Sequence, residues 1–231
     1  DGWRATTESR EIQLGTADVS FDIGVAGSLS IKGMKYYDLN ANKVRDEGEP
    51  GIPGSDVNLI ENGKVVRSTK TAEDGSYVFD NVAPGTYTIS DPLPEGYVVV
   101  TSSTITVTVT TNTVLDASFG IAGVYTISGR KFNDLNGDGS DAGDPGIPGW
   151  GIVLDGTTTL GVHITETQYT GSDGSYTFSN IAPGTYKISE LSRPGWTQTY
   201  PGGDGSHSVT ITSSSVSGKN FGNRYLSTKA S

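Results

Sequence analysis

The chain contains no cysteine, one methionine and only two histidines in 231 residues. Without cysteine there are no disulfides, no thiol nucleophile and no thiolate metal site. His163 and His207 supply neither the paired ligands of a metal hydrolase nor a Ser-His-Asp arrangement, and both are expected at the surface. Basic residues are also scarce, 16 against 26 acidic ones, for a net charge of −10. That balance argues against a nucleic-acid partner, whose phosphates need basic patches. No apolar run approaches the ~20 residues of a membrane-spanning helix. No signal peptide is evident, so an export signal or wall anchor is expected outside these residues. N-x-[ST] sequons are absent too, which leaves O-linked sugar for the many threonines.

What the chain has instead is turn chemistry. It carries 32 glycines and 10 prolines against a hydrophobic fraction of 33%. These fall between short runs of Val, Ile, Thr and Tyr, as in a protein of many short strands. Thr104-Ile105-Thr106-Val107-Thr108-Val109-Thr110 alternates polar and apolar, the pattern of a half-buried strand. Asp-Gly pairs at 74–75 and 173–174 precede Tyr-x-Phe and read as hairpin signals. Ala-Pro-Gly at 83–85 and 182–184 turns the chain into another strand, and nothing reads as a long helix. The expected fold is all-β, a tandem pair of sandwiches with small cores. Small cores need staples, and without cysteine these must be metal ions or another covalent link.

Self-comparison exposes the repeat. IKGMKYYDLN at 31–40 matches ISGRKFNDLN at 127–136, and EPGIPG at 49–54 matches DPGIPG at 144–149. DGSYVFDNVAPGTYTIS at 74–90 matches DGSYTFSNIAPGTYKIS at 173–189, and the units close on Phe119-Gly120 and Phe221-Gly222. Repeat one is taken as 28–123 and repeat two as 124–225, with 226–231 a tail or linker. Residues 1–27 belong to neither. Gly2-Trp3 resembles Gly96-Tyr97 and Gly195-Trp196, and FDIGVAG at 21–27 resembles FGIAG at 119–123. Two readings stand: closing strands of a preceding repeat, or strands donated to an identical chain by β-strand addition.

The order G-x-K-[FY]-x-D-L-N, E/D-P-G-I-P-G, DGSY-x-F, APGTY and PGW or EGY, found twice, resembles the SdrD B-like and Cna B-type repeats of surface proteins. The resemblance implies Ig-like or prealbumin-like β-sandwiches that serve as stalk, spacer, surface-layer or filament subunits outside the cell. The partners it implies are neighbouring repeats of the same array. An adhesin or carbohydrate-binding module, meeting host or surface glycans, is the alternative; an enzyme is not expected.

Two constellations could carry chemistry. Asp38, Asn40, Asn42, Val44, Asp46 and Glu49 occupy positions 1, 3, 5, 7, 9 and 12 of an EF-hand-like loop, where alternate oxygens wrap a calcium ion. Lys43 stands at position 6, where glycine is wanted, so a departure from that geometry is expected. Repeat two offers Asp134, Asn136, Asp138, Ser140, Asp141 and Asp144, with Gly139 at position 6 and one residue deleted. The bland reading is a solvated acidic turn. The resemblance adds calcium (Ca2+) as the expected ion.

The second constellation follows from period two. Lys35 shares a face with Ile31, Lys131 with Ile127, Asp91 with Tyr87 and Ile89, and Glu190 with Tyr186 and Ile188. Lysine and acid both point inward, which is unfavourable unless they are paired. Cna B-type domains resolve such an arrangement with a Lys–Asn isopeptide bond, a buried acid shuttling the protons. By position, Lys131, Glu190 and Asn220 (or Asn223) match that trio. Repeat one departs, with Asp91 as the acid and Ser118 where Asn220 stands. A buried ion pair is the simpler reading.

Weaker matches fail on chemistry. GDGSDA at 137–142 mimics a phosphate loop, but its aspartates would repel a pyrophosphate. GGDGSH at 202–207 begins like a calcium nonapeptide but occurs once. Trp3, Trp150 and Trp196 are expected to pack in a core or between repeats.

Overall fold

In a computed structural model the chain is all β-strand, described over residues 3–5, 25–27, 29–110 and 115–226. Two short strands, β1 (Trp3–Ala5) and β2 (Val25–Gly27), pair antiparallel. The segment 6–24, which holds most of the expected closing or donated strands, lies outside the described residues.

Repeat one comprises β3 (Leu29–Tyr37), β4 (Asp56–Glu61), β5 (Lys64–Lys70), β6 (Ser76–Val82), β7 (Gly85–Ser90), β8 (Tyr97–Val99), β9 (Thr104–Val109), β10 (Leu115–Asp116) and β11 (Phe119–Gly123). Repeat two comprises β12 (Tyr125–Asn133), β13 (Gly151–Thr158), β14 (His163–Tyr169), β15 (Ser175–Ile181), β16 (Gly184–Glu190), β17 (Trp196–Tyr200), β18 (His207–Ile211) and β19 (Phe221–Tyr225).

Each repeat is a two-sheet sandwich. In repeat one β5-β4-β7-β9 faces a sheet of β10, β3, β11 and β8 with β6 on the other side of β3. In repeat two β14-β13-β16-β18 faces β15-β12-β19-β17. The first and last long strands of each repeat run parallel, with Lys35 opposite Phe119 and Lys131 opposite Phe221. That parallel pair brings the two ends of each repeat's sequence together beside its lysine.

The cores follow the alternation. Repeat one buries Ile31, Leu59, Phe79, Ile89, Val107 and Phe119, and repeat two buries Ile127, Leu154, Phe178, Ile188, Val209 and Phe221. Tyr37, Ile52, Tyr97 and Ile121, from the distal end of repeat one, belong to the core of repeat two. Apolar packing therefore runs continuously across the junction.

Two local expectations change. The Asp-Gly turns at 74–75 and 173–174 are not hairpins, because β5 pairs with β4 whereas β6 pairs with β3. They carry the chain from one sheet to the other; Ser76 N donates to Asp74 Oδ1 at 2.9 Å to fix the bend. The two-residue hairpin of repeat one is instead Asn62-Gly63, with φ of 50° and 75°. Both central residues need the left-handed region, which Asn-Gly enters readily.

Candidate functional site

Lys131 leaves β12 toward the sandwich interior and is fully buried. Its Nζ lies 4.5 Å from the ring centre of Trp150, itself fully buried. Glu190, at the end of β16, places Oε2 2.7 Å from Nζ. Asn223, on β19, accepts a hydrogen bond from Nζ through Oδ1 and donates from Nδ2 to Glu190 Oε1 at 2.7 Å. Glu190 thus bridges the lysine nitrogen and the amide nitrogen of one asparagine. Burial pushes the Lys131 ammonium down to about 8, against the charge and hydrogen bond of Glu190, which raise it.

Asn220 is not at this site. Its Oδ1 accepts from Arg130 N at 3.0 Å and its Nδ2 donates to Asp141 Oδ2 at 2.9 Å. The residue precedes β19 and faces the acidic loop, so the asparagine against Lys131 is Asn223. The parallel register decides this. Phe221 is core, and Asn223, two residues on, shares its inward face. Counting from the Phe-Gly pair would have found it.

Repeat one keeps the lysine and changes everything around it. Lys35 is fully buried and pairs with Asp91, and its Nζ donates to Ser55 Oγ at 2.6 Å. Ser55 stands where Trp150 does. Strand register sets Ile121 opposite Val99, as Asn223 is opposite Gln198, so the residue in place of the amide is Ile121 and not Ser118. Ser118 Oγ instead accepts from Met34 N at 3.1 Å. Burial raises the Asp91 carboxyl above its ordinary range against the pull of Lys35, and Asp91 Oδ2 is buried without a hydrogen-bond partner.

Oxygen atoms of Asp134, Asp138 and Asp144 all lie within 4.8 Å of one another. Asp134, fully buried, orders the loop by accepting from the N–H groups of Gly137, Asp138 and Gly139. Asn136 Oδ1 accepts from Asp138 N at 3.1 Å, and Ser140 Oγ from Ala142 N at 3.3 Å. Asp141 turns away to Asn220. The deletion does not displace Asp144, which bonds Leu135 N as Glu49 bonds Leu39 N.

The loop of repeat one has the same path. Asp38 accepts from Asn42 N and Lys43 N, and Glu49 accepts from Leu39 N and Asp46 N. Asn40 and Asn42 both donate to Asp46 Oδ2, at 2.8 and 2.7 Å, while Val44 N donates to Asn42 Oδ1 at 2.8 Å. Lys43 does not distort it. Its φ of 72° matches 74° at Gly139, so the lysine adopts the left-handed turn at an expense of about 1–2 kcal/mol.

Of the remaining residues, Trp150 is core, and Trp196 packs edge-to-face on it at 5.5 Å. His163 is exposed beside Asp155. His207 is half-buried, its ring 5.0 Å from Phe221 and its Nε2 2.7 Å from Asn220 O, which corrects its placement at the surface.

Two inward lysines, each on the first strand of a sandwich above an Asp-Leu-Asn loop, mark the chain as a tandem pair of like β-sandwich repeats. The SdrD B-like domain family matches residues 30–124 and 125–221, and the chain belongs to it. Serine-aspartate repeat-containing protein D of Staphylococcus aureus is 28% identical over 221 residues, 88% of this chain and 17% of that protein. Colossin-A of Dictyostelium discoideum is 30% identical over 199 residues, 80% of this chain and 2% of that protein. The chain thus spans a small part of these relatives. Among solved structures, the Bacillus anthracis TIE protein aligns with 88% of this chain and 37% of its own at a TM-score of 0.44 and 16% identity. The shaft pilin spaA of Lactobacillus rhamnosus GG aligns with 85% of this chain at 0.34 and 11% identity.

Proposed function

We propose that the two repeats form a rigid, calcium-stiffened segment of an extracellular cell-surface protein, a stalk, spacer or filament subunit, in which repeat two is locked by an isopeptide between Lys131 and Asn223. The observation that carries the covalent part is the bridging carboxylate of Glu190, which touches both the attacking and the departing nitrogen. Burial favours the neutral amine. Lys131 Nζ attacks Cγ of Asn223, Glu190 takes the proton from Nζ and returns it to Nδ2, and ammonia leaves as the new C–N bond forms. The reaction turns over once, and no catalytic cycle is assigned to the chain.

Calcium is supported by the donor set. Asp134, Asp138 and Asp144 offer hard carboxylate oxygens in one loop, the ligand type calcium takes. Asp38, Asn42 and Glu49 hold the same positions in repeat one, with Asp46 matching Asp141. The test has two arms. Intact mass of the full chain should fall one ammonia short of the sequence mass, should keep that deficit in Asn220→Ala, and should lose it in Asn223→Ala. Chelation should lower the melting temperature of both repeats. A mass equal to the sequence mass removes the isopeptide, and superimposable melts with calcium and with chelator remove the ion.

A further inference from the structure

The distal end of repeat one is a socket. Into it fits the turn Asn180-Ile181-Ala182-Pro183 of repeat two. Tyr37 OH donates to Asn180 O, and Gly123 N donates back to Tyr37 OH at 3.2 Å. Asn180 Nδ2 donates to Leu39 O at 3.1 Å, and Tyr97 OH meets Thr159 Oγ1 at 3.1 Å. The fit depends on Gly123. A Cβ there would lie 2.0 Å from the carbonyl carbon of Ile181 and 2.1 Å from the nitrogen of Ala182, so no other residue can take the position while the turn is seated. Over Gly96, Pro183 and the Tyr125 ring fill the remaining space.

The register gives the equivalent positions at the distal end of repeat two. Tyr97 pairs with Gly123, and Trp196 pairs with Tyr225. Val124 N bonds Gly96 O as Leu226 N bonds Gly195 O. Tyr225 therefore stands where Gly123 does, and Asn133 where Tyr37 does. The Tyr225 ring packs edge-to-face on Trp196 at 5.3 Å and closes over Gly195, the counterpart of Gly96. The turn itself is unchanged between repeats: Asn81-Val82-Ala83-Pro84 and Asn180-Ile181-Ala182-Pro183 both hold asparagine in the left-handed region, at φ of 54° and 59°.

We propose that the repeat-one socket is specific for the Asn-[Val/Ile]-Ala-Pro turn of a following repeat, and that Tyr225 closes the same socket on repeat two, so that rigid stacking stops after repeat two. A further repeat of this kind joined beyond it hangs on a flexible joint. This extends the rigid-segment reading above and adds a position at which the rigidity ends.

The absence of cysteine allows clean spin labelling. In the full chain, Val66→Cys with Thr167→Cys reports the distance across the first junction. In the chain extended after Leu226 by a second copy of residues 125–231, Thr167→Cys in both copies reports the second. A narrow distribution is expected at the first junction and one at least about twofold broader at the second, since unlocked neighbours move by default. Tyr225→Gly with Asn133→Tyr should narrow the second, and Gly123→Tyr should broaden the first while each repeat still melts cooperatively. If Gly123→Tyr fails to fold, Tyr37→Phe with Asn180→Gly removes the hydrogen bonds made by the Tyr37 hydroxyl and the Asn180 amide and should also broaden it. A second junction as narrow as the first in the unmodified extended chain overturns the closed socket. A broad first junction in the unmodified chain instead overturns the rigid-segment reading itself.

Discussion

Repeats one and two put a buried lysine on the same strand, in the same sandwich, above the same kind of acidic loop, yet surround it with different chemistry. Around Lys131 stand Trp150, Glu190 and Asn223; around Lys35 stand Ser55 and Asp91, with Ile121 at the register position of Asn223. Glu190 reaches both its lysine and an amide, one through each oxygen, while Asp91, a methylene shorter, meets its lysine through Oδ1 and has no amide beside it. The lysine position belongs to the fold, whereas its reactivity is set by side chains from three other strands or loops. A buried charge retained in both repeats is therefore no guide to shared chemistry. The amide beside it is.

The largest expected effect comes from removing the acid. Glu190→Ala abolishes the ammonia loss and leaves Lys131 buried without its carboxylate, an uncompensated charge worth about 3–5 kcal/mol on top of the missing cross-link. Asp91→Ala should destabilise repeat one by about 3–5 kcal/mol through the same unpaired charge, with no change in mass beyond the substitution. Calorimetry and intact mass on both variants separate the repeats; an ammonia deficit that survives Glu190→Ala defeats the assignment of the shuttle.

Next in size is Asn223→Ile, which gives repeat two the residue of repeat one. The ion pair to Glu190 stays and only the cross-link is lost, on the order of 4 kcal/mol by the loop-closure argument used for other covalent staples. Repeat two should then melt lower, above Glu190→Ala. An Asn223→Ile chain that melts with the wild type would show that no bond was there to lose.

The same variant exposes a pH dependence that the linked chain lacks. In a native state with a free amine, burial holds Lys131 near about 8, below its ordinary value of 10.5. Between those values the unfolded chain binds more protons than the folded one, so stability rises with pH, by at most ~1.4 kcal/mol per unit. An amide nitrogen does not titrate. Denaturant melts from pH 8 to 10 should therefore climb for Asn223→Ile relative to wild type, and parallel profiles would count against the bond.

The smallest effect concerns the loops. Asp138→Asn gives loop two the residue that Asn42 supplies in loop one, removing one of three clustered carboxylates. Calcium affinity should fall about tenfold, ~1.4 kcal/mol, as ligand charge falls. Asn42→Asp should shift repeat one the other way. Titration calorimetry on both variants reads this directly, and unchanged affinities would place the ion elsewhere.

Much of this was legible in the residues themselves. Alternation pointed Lys35 and Lys131 inward and set Asp91 and Glu190 on the matching faces, because a strand's period of two is a local property. The loops were legible because their oxygen-bearing side chains lie within a dozen consecutive positions. Asn223 was legible only through the Phe-Gly pair that fixes its face, and Asn220, nearer by simple position, belongs to the Arg130–Asp141 corner. Lys43 takes the same left-handed turn as Gly139 because glycine preference is a bias of about 1–2 kcal/mol, which the loop's hydrogen bonds can offset.

By itself the sequence determined two all-β repeats, their order, the inward lysines and the oxygen-rich loops, since each rests on patterns within one strand or one turn. Only the tertiary structure decided which asparagine meets Lys131, that Ile121 replaces it in repeat one, and that Gly123 admits the next repeat where Tyr225 refuses it. Those outcomes depend on the register of strands about 90 residues apart and on sub-ångström steric fit between separate sandwiches. Neither is written in any local stretch of chain, because both are fixed by packing between distant segments.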